Sequence, residues 1–135
     1  MIVDTSALLA YFDAAEPRHA EVAGAIEVTD EPLVVSPYVI AELDYLLLSR
    51  HGSRAERLAL EELGSGAWEL AQIDARRLAA AARIVSDYAD VPIGVADAAN
   101  IVLADAYGTE TIATLDRRHF SVLRLGNGRP AHIVP

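Results

Sequence analysis

Four acidic residues stand where a soluble surface would not place them. Asp4 ends the apolar run Met1-Ile2-Val3, and Glu42 lies between Ile40 and Leu43. Asp97 is flanked by Ala96, Ala98 and Ala99, and Asp116 directly follows Thr111-Ile112-Ala113-Thr114-Leu115. A carboxylate in apolar surroundings costs free energy unless something compensates its charge. The chain has no Lys, and its eleven positive residues are all Arg, mostly distant in sequence from these acids. Four carboxylates gathered without matching bases require cations, and oxygen-only ligation suits Mg²⁺ or Mn²⁺. One or two such ions, about 3.5–4 Å apart, could activate a water and stabilise an in-line displacement at phosphorus. His19, His51, His119 and His132 are scattered without zinc spacing. Cysteine is absent, which excludes thiolate sites and disulfides.

Each acid also has a plainer role open to it. Asp4 and Asp116 could simply cap helices, and Glu42 could be a surface residue beside Asp44. For Asp97 the plain role is weakest, because its neighbours point to burial. Ser6, Thr114 and Asn100 could serve the acids or satisfy nearby backbone. Asn100 falls three residues after Asp97, on the same helix face. Arg117, Arg118 and His119 could touch RNA phosphate near Asp116, with a solvated turn the stronger expectation. Tyr11, Phe12, Tyr38 and Tyr45 could stack on bases, with core or interface packing the stronger expectation. Leu46-Leu47-Leu48 exceeds what one helix face needs and suggests a partner surface.

The elements around these residues alternate between strand and helix. Ile2-Val3 reads as the end of a buried strand, with Thr5 or Ser6 capping a helix to Phe12. Pro17 opens a helix carrying Val22, Ala23 and Ile26. Leu33-Val34-Val35 is a second strand, and Ser36-Pro37 starts a helix with Val39, Ile40, Leu43, Leu46 and Leu47 on one face. Gly52 ends that helix and Ser53 caps the next, to Gly64. Trp68 to Ile73 is a third strand, and Asp74 caps a helix to Tyr88 with Leu78, Ala82 and Val85 inward. A buried helix from Val95 ends at Gly108, and Thr111 to Leu115 forms a fourth strand. Val122 to Leu125 and Ala131 to Val134, around Gly126-Asn127-Gly128, offer a last strand. Such alternation predicts one α/β domain with a mostly parallel sheet of four to five strands and right-handed crossovers. It places all four acids at the carboxyl edge of the strands or in the helices that follow, where ligand crevices form in open sheets.

The length, 135 residues, fits a single core, and 53% hydrophobic with 23% charged residues describes a globular chain. A net charge of −9 argues against a general nucleic-acid coat protein. No apolar run approaches the roughly 20 residues of a membrane span. No basic n-region precedes Asp4, so a cytoplasmic protein is the expectation. The chain has no Gly-x-Ser-x-Gly elbow, phosphate-binding loop or dinucleotide fingerprint. A haloacid-dehalogenase-type phosphatase would need a second Asp where Ser6 stands, and a Lys.

Asp4-Thr5-Ser6-Ala7, Glu42, Asp97-Ala98-Ala99 and Thr114-Leu115-Asp116, in this order and spacing, resemble the PIN-domain ribonucleases. Within them the whole chain most resembles the VapC toxins of bacterial toxin–antitoxin pairs. The resemblance implies a three-layer PIN-like fold over residues 1–135 as a single PIN domain. It also implies a Mg²⁺- or Mn²⁺-dependent endoribonuclease cutting structured RNA, often a tRNA or an rRNA loop. A VapB antitoxin and a homodimer are the implied partners. By the same resemblance, Asp4, Glu42, Asp97 and Asp116 are the metal-binding acids, and Ser6 and Thr114 match positions that orient a carboxylate or water. The competing reading is a non-catalytic module that binds RNA or protein around a structural ion.

Overall fold

The computed structural model describes residues Met1–Pro135. Five strands form one sheet: β1 (Ile2–Val3), β2 (Val34–Val35), β3 (Glu69–Leu70), β4 (Thr111–Ala113) and β5 (His132–Val134). Their order across the sheet is β3-β2-β1-β4-β5, and every neighbouring pair is parallel. Ile2 is in register with Val34 on one side and Ile112 on the other. The expected four to five strands are thus five, and the sheet is parallel throughout.

Seven helices flank the sheet: α1 (Thr5–Phe12), α2 (His19–Glu27), α3 (Pro37–His51), α4 (Ser53–Leu63), α5 (Ala75–Asp87), α6 (Val95–Tyr107) and α7 (Arg117–Val122). Successive strand residues point to opposite faces, and this alternation divides the core in two. Val3, Val35 and Ala113 pack with Leu8, Val22, Leu43 and Leu63 of α1–α4. Ile2, Val34 and Ile112 pack with Ile101, Leu103 and Phe120 of α6 and α7. Helices, sheet and helices make the three layers.

Several boundaries differ from the sequence reading, each for a local reason. The third strand is only Glu69–Leu70, because its partner β2 is bracketed by Pro32 and Ser36-Pro37 and offers few ladder groups. Trp68 instead turns into the core beside Tyr11 and Phe12, which settles those two aromatics as packing residues. Helix α2 begins at His19, two residues after Pro17. Gly52 (φ +83°) closes α3 and opens α4 alone, so Ser53 is helical and not a cap. Residues 122–125 form no strand: Arg124 donates to the carbonyls of Ser121, Val122 and Leu123 and closes α7. On α5 the buried residue is Ala81, with Ile84 and Tyr88 packed on the second core, while Leu78 and Ala82 face solvent. An alanine-rich helix carries adjacent apolar stripes, and packing on α6 selects the one with the small Ala81.

Candidate active site

The strand order reverses direction at β1 and β4, the switch point where a doubly wound sheet opens a crevice at its carboxyl edge. Asp4 leaves β1 there, and Thr114, Leu115 and Asp116 leave β4 beside it. Asp4 is the N-cap of α1, in place of the expected Thr5 or Ser6. Its carboxylate does more than cap. Oδ2 accepts the Ser6 and Thr114 hydroxyls, both at 2.8 Å, and the Ser6 N–H at 3.4 Å. Oδ1 accepts Asn100 Nδ2 at 3.1 Å, so the i+3 partner of Asp97 serves Asp4. Burial pushes the Asp4 carboxyl above its ordinary value, and the Thr114 and Ser6 hydrogen bonds only partly offset this.

Ser6 and Thr114 have one hydroxyl proton each, both directed at Asp4. Their oxygens also accept from the backbone: Ser6 Oγ from Leu115 N at 2.9 Å and Thr114 Oγ1 from Asp116 N at 3.0 Å. The two side chains therefore tie the start of α1 to the chain leaving β4.

The other acids reach the same cleft from three further segments. Ser36 and Pro37 start α3, and Ser36 Oγ accepts from Val39 N at 3.1 Å. This start brings Glu42 opposite α1, where Thr5 Oγ1 donates to Glu42 Oε2 at 2.6 Å. Asp97 is in the first turn of α6, accepts from Gly94 N at 3.0 Å, and so closes its own helix start. Burial raises the Asp97 carboxyl; the Gly94 N–H and the His119 imidazole pull it back, while Asp4 and Asp116 push it up further. Asp116 caps α7 through Arg118 N at 3.1 Å.

Together Asp4, Glu42, Asp97 and Asp116 line a cleft of about 450 Å³. His119 and Arg50 line it too; the sequence offers His119 only as a phosphate contact beside Asp116 and does not single out Arg50. His119 Nδ1 lies 3.2 Å from Asp97 Oδ2 and 3.7 Å from Asp116 Oδ2, so it is no solvated turn residue. Arg50 does have a sequence signal: Glu42, Leu46 and Arg50 recur at i, i+4 and i+8, one face of α3. Arg117 and Arg118 are exposed and outside the cleft lining; Arg117 Nη2 donates to Pro135 O at 2.5 Å.

The donor set is all oxygen apart from His119, with four carboxylates against one guanidinium, and this chemistry fits a hard divalent cation. No three acidic or histidine side chains draw close enough to form a ready-made ion cage. The acids line one cleft without already converging on a point. Asn100 Oδ1 is buried with no hydrogen-bond partner, a further uncompensated acceptor beside Asp4.

Residues 1–124 match the family model of the PIN domain. The chain is 63% identical over 130 residues to ribonuclease VapC26 of Mycobacterium tuberculosis, covering 96% of both proteins. Its fold matches VapC20 of M. tuberculosis, a toxin that cleaves the sarcin–ricin loop, with a TM-score of 0.82 at 21% identity over 89% of this chain and 92% of that one. It also matches VapBC2 of Rickettsia felis bound to a promoter DNA fragment, with a TM-score of 0.72 at 14% identity over 99% and 98%. An acid-lined cleft at the switch point, in a chain so closely related to a VapC ribonuclease, assigns this protein to the PIN-domain family and, within it, to the VapC ribonucleases.

Proposed function

We propose that residues 1–135 act as one PIN domain, an endoribonuclease toxin that cuts structured RNA, a tRNA or an rRNA loop. The observation that carries this reading is the common cleft of Asp4, Glu42, Asp97 and Asp116, drawn from four separate segments. These four acids would hold Mg²⁺, with Mn²⁺ able to substitute, and one or two such ions would supply activation of water and neutralisation of charge on phosphate oxygens.

The chain's own residues prepare that site. Ser6, Thr114 and Asn100 fix both oxygens of Asp4 before any ligand arrives. Thr5 orients Glu42, and His119 spans Asp97 and Asp116. Arg50, the one guanidinium lining the cleft, suits a phosphate oxygen of the substrate. Hydrolysis in line at phosphorus leaves a 5′-phosphate and a 3′-hydroxyl.

A VapB antitoxin is the proposed regulator, and the toxin itself a homodimer. Leu9 and Leu46 line the acid cleft, and Tyr45 and Leu48 are exposed on the same helix as Glu42. An antitoxin segment with apolar side chains and one basic side chain suits that surface. No helix is long and apolar enough to cross a membrane, and the cytoplasm is the proposed compartment.

Cleavage of total bacterial RNA by antitoxin-free protein, in Mg²⁺, Mn²⁺ or EDTA, tests the reading beside Asp4→Asn and Asp97→Asn. The expected result is a discrete cut with 5′-phosphate ends that both substitutions and EDTA abolish. Cyclic phosphate ends, or cleavage that persists in EDTA, overturn it. Folded protein that binds RNA or a partner and cuts nothing favours the binding module instead.

A further inference from the structure

The largest cavity in the molecule is not the acidic cleft. A groove of about 720 Å³ runs between α5 and the second half of α6, and Arg76, Arg77 and Arg83 line it. The arginine–carboxylate pairs of this chain involve Arg18, Arg118 and Arg129, so none of the three groove guanidiniums is ion-paired. Three acids line the groove as well: Asp74 and Asp105 are turned to other work, and Asp87 stands at the far end of α5, one turn beyond Arg83. Asp74 Oδ1 accepts from Arg77 N at 2.8 Å as the cap of α5, and both oxygens of Asp105 accept from Gly126 N. Only Arg77 has a side-chain bond, from Nη1 to Gln72 O at 2.6 Å.

We propose that this groove grips the phosphodiester backbone of the RNA substrate; this rests on the ribonuclease reading above. A chain of net charge −9 repels RNA at long range, and its acidic cleft contributes a single arginine. Backbone affinity must come from a local cluster of free cations, and guanidinium forks match phosphate oxygens better than any other side chain. Arg76 and Arg83 are seven residues apart on one helix face, about 10 Å along the axis. A stacked strand rising about 3.4 Å per nucleotide sets about three phosphates in that span. Asp97 and the groove residue Asp105 share α6, about 12 Å apart along it. RNA held in the groove therefore lies within a few nucleotides of the acids.

The test uses the full chain with Arg76→Gln/Arg83→Gln, two exposed positions, and a second variant that adds Arg77→Gln. Equilibrium binding of total tRNA and of a 23S rRNA fragment is measured in EDTA, where nothing is cut, as a function of salt. The expected result is about tenfold weaker binding for the double variant. Its log–log salt slope should fall by about 0.7–0.9 per lost contact. In cleavage assays the loss should fall on KM. Unchanged affinity and slope in both variants overturn the proposal. So does a change of oligomeric state by light scattering without a change in RNA affinity, which marks the groove as a protein interface. Wild-type protein that binds RNA through these arginines but never cuts it supports the groove while refuting the nuclease reading.

Discussion

His119 Nδ1 stands 3.2 Å from Asp97 Oδ2 and 3.7 Å from Asp116 Oδ2, a single imidazole spanning carboxylates from α6 and from the turn after β4. Removing it leaves Asp97 held by Gly94 N and Asp116 by Arg118 N, with nothing bridging the two carboxylates. Partners that orient metal-site ligands are each worth about 10–100-fold in affinity or activity. His119→Ala should therefore reduce RNA cleavage by about 10-fold and raise the Mn²⁺ concentration needed for half-maximal rate. His119→Gln, which keeps a donor, should retain more activity. Equal activity in both variants and wild type would show that the imidazole is dispensable.

Asp4 predicts an unusual stability profile. Burial raises its carboxyl in the folded state, so the folded chain holds that proton more tightly than the unfolded chain does. The stabilisation is full below the unfolded value, about 3.9, and is lost as pH rises through the folded one. Ionised Asp4 thus destabilises the metal-free protein at neutral pH. Asp4→Asn should raise Tm in EDTA at pH 7.5 by a few °C, although it should abolish cleavage. The gap should narrow as pH falls toward 5. Asn100 can assist by turning over its amide, because its Oδ1 has no present partner. A variant less stable than wild type at pH 7.5 in EDTA would contradict this.

Thr114→Val keeps shape and removes the hydroxyl that donates to Asp4 and accepts from Asp116 N. Leaving two buried polar groups unsatisfied should cost about 1–3 kcal/mol, measured by urea denaturation. Cleavage should fall by about 10–100-fold. Thr114→Ser restores the hydroxyl and should recover most of both.

All four acids stand out in the sequence by their apolar neighbours: Ile2-Val3 before Asp4, Ile40 and Leu43 around Glu42, alanines around Asp97, and the strand before Asp116. The partnership of Asn100 with Asp4 crosses 96 residues, and helix spacing alone pointed only to the correct face. His119 is legible only as a phosphate contact in a brief turn, because its approach to Asp97 depends on α7 being a six-residue helix. The Thr5–Glu42 bond depends on how α1 meets α3, which no local pattern encodes. The sheet was readable from its β-branched runs. The exact strand lengths were not, because each ladder is cut to the length of its neighbour.

Gly126 gives a prediction away from the site. A Cβ at this position would overlap the Asp105 carboxylate, which is held there by accepting from Gly126 N. Gly126→Ala should destabilise the protein by about 1–3 kcal/mol. Adding Asp105→Ala removes the obstructing oxygens, so the double variant should be less destabilised than the sum of its parts in a thermal-melt cycle. Strict additivity would mean that the overlap is relieved elsewhere.

The bond from Thr114 to Asp4 spans 110 positions of the chain, and time enters with that separation. A growing polypeptide emerges from its amino end, so Asp4 is made early and waits, while the groups that will hold it arrive late. Until Thr114 and Asp116 have followed, the cleft has no floor and one wall is missing. The acid cleft is thereby completed only when nearly the whole chain has been made.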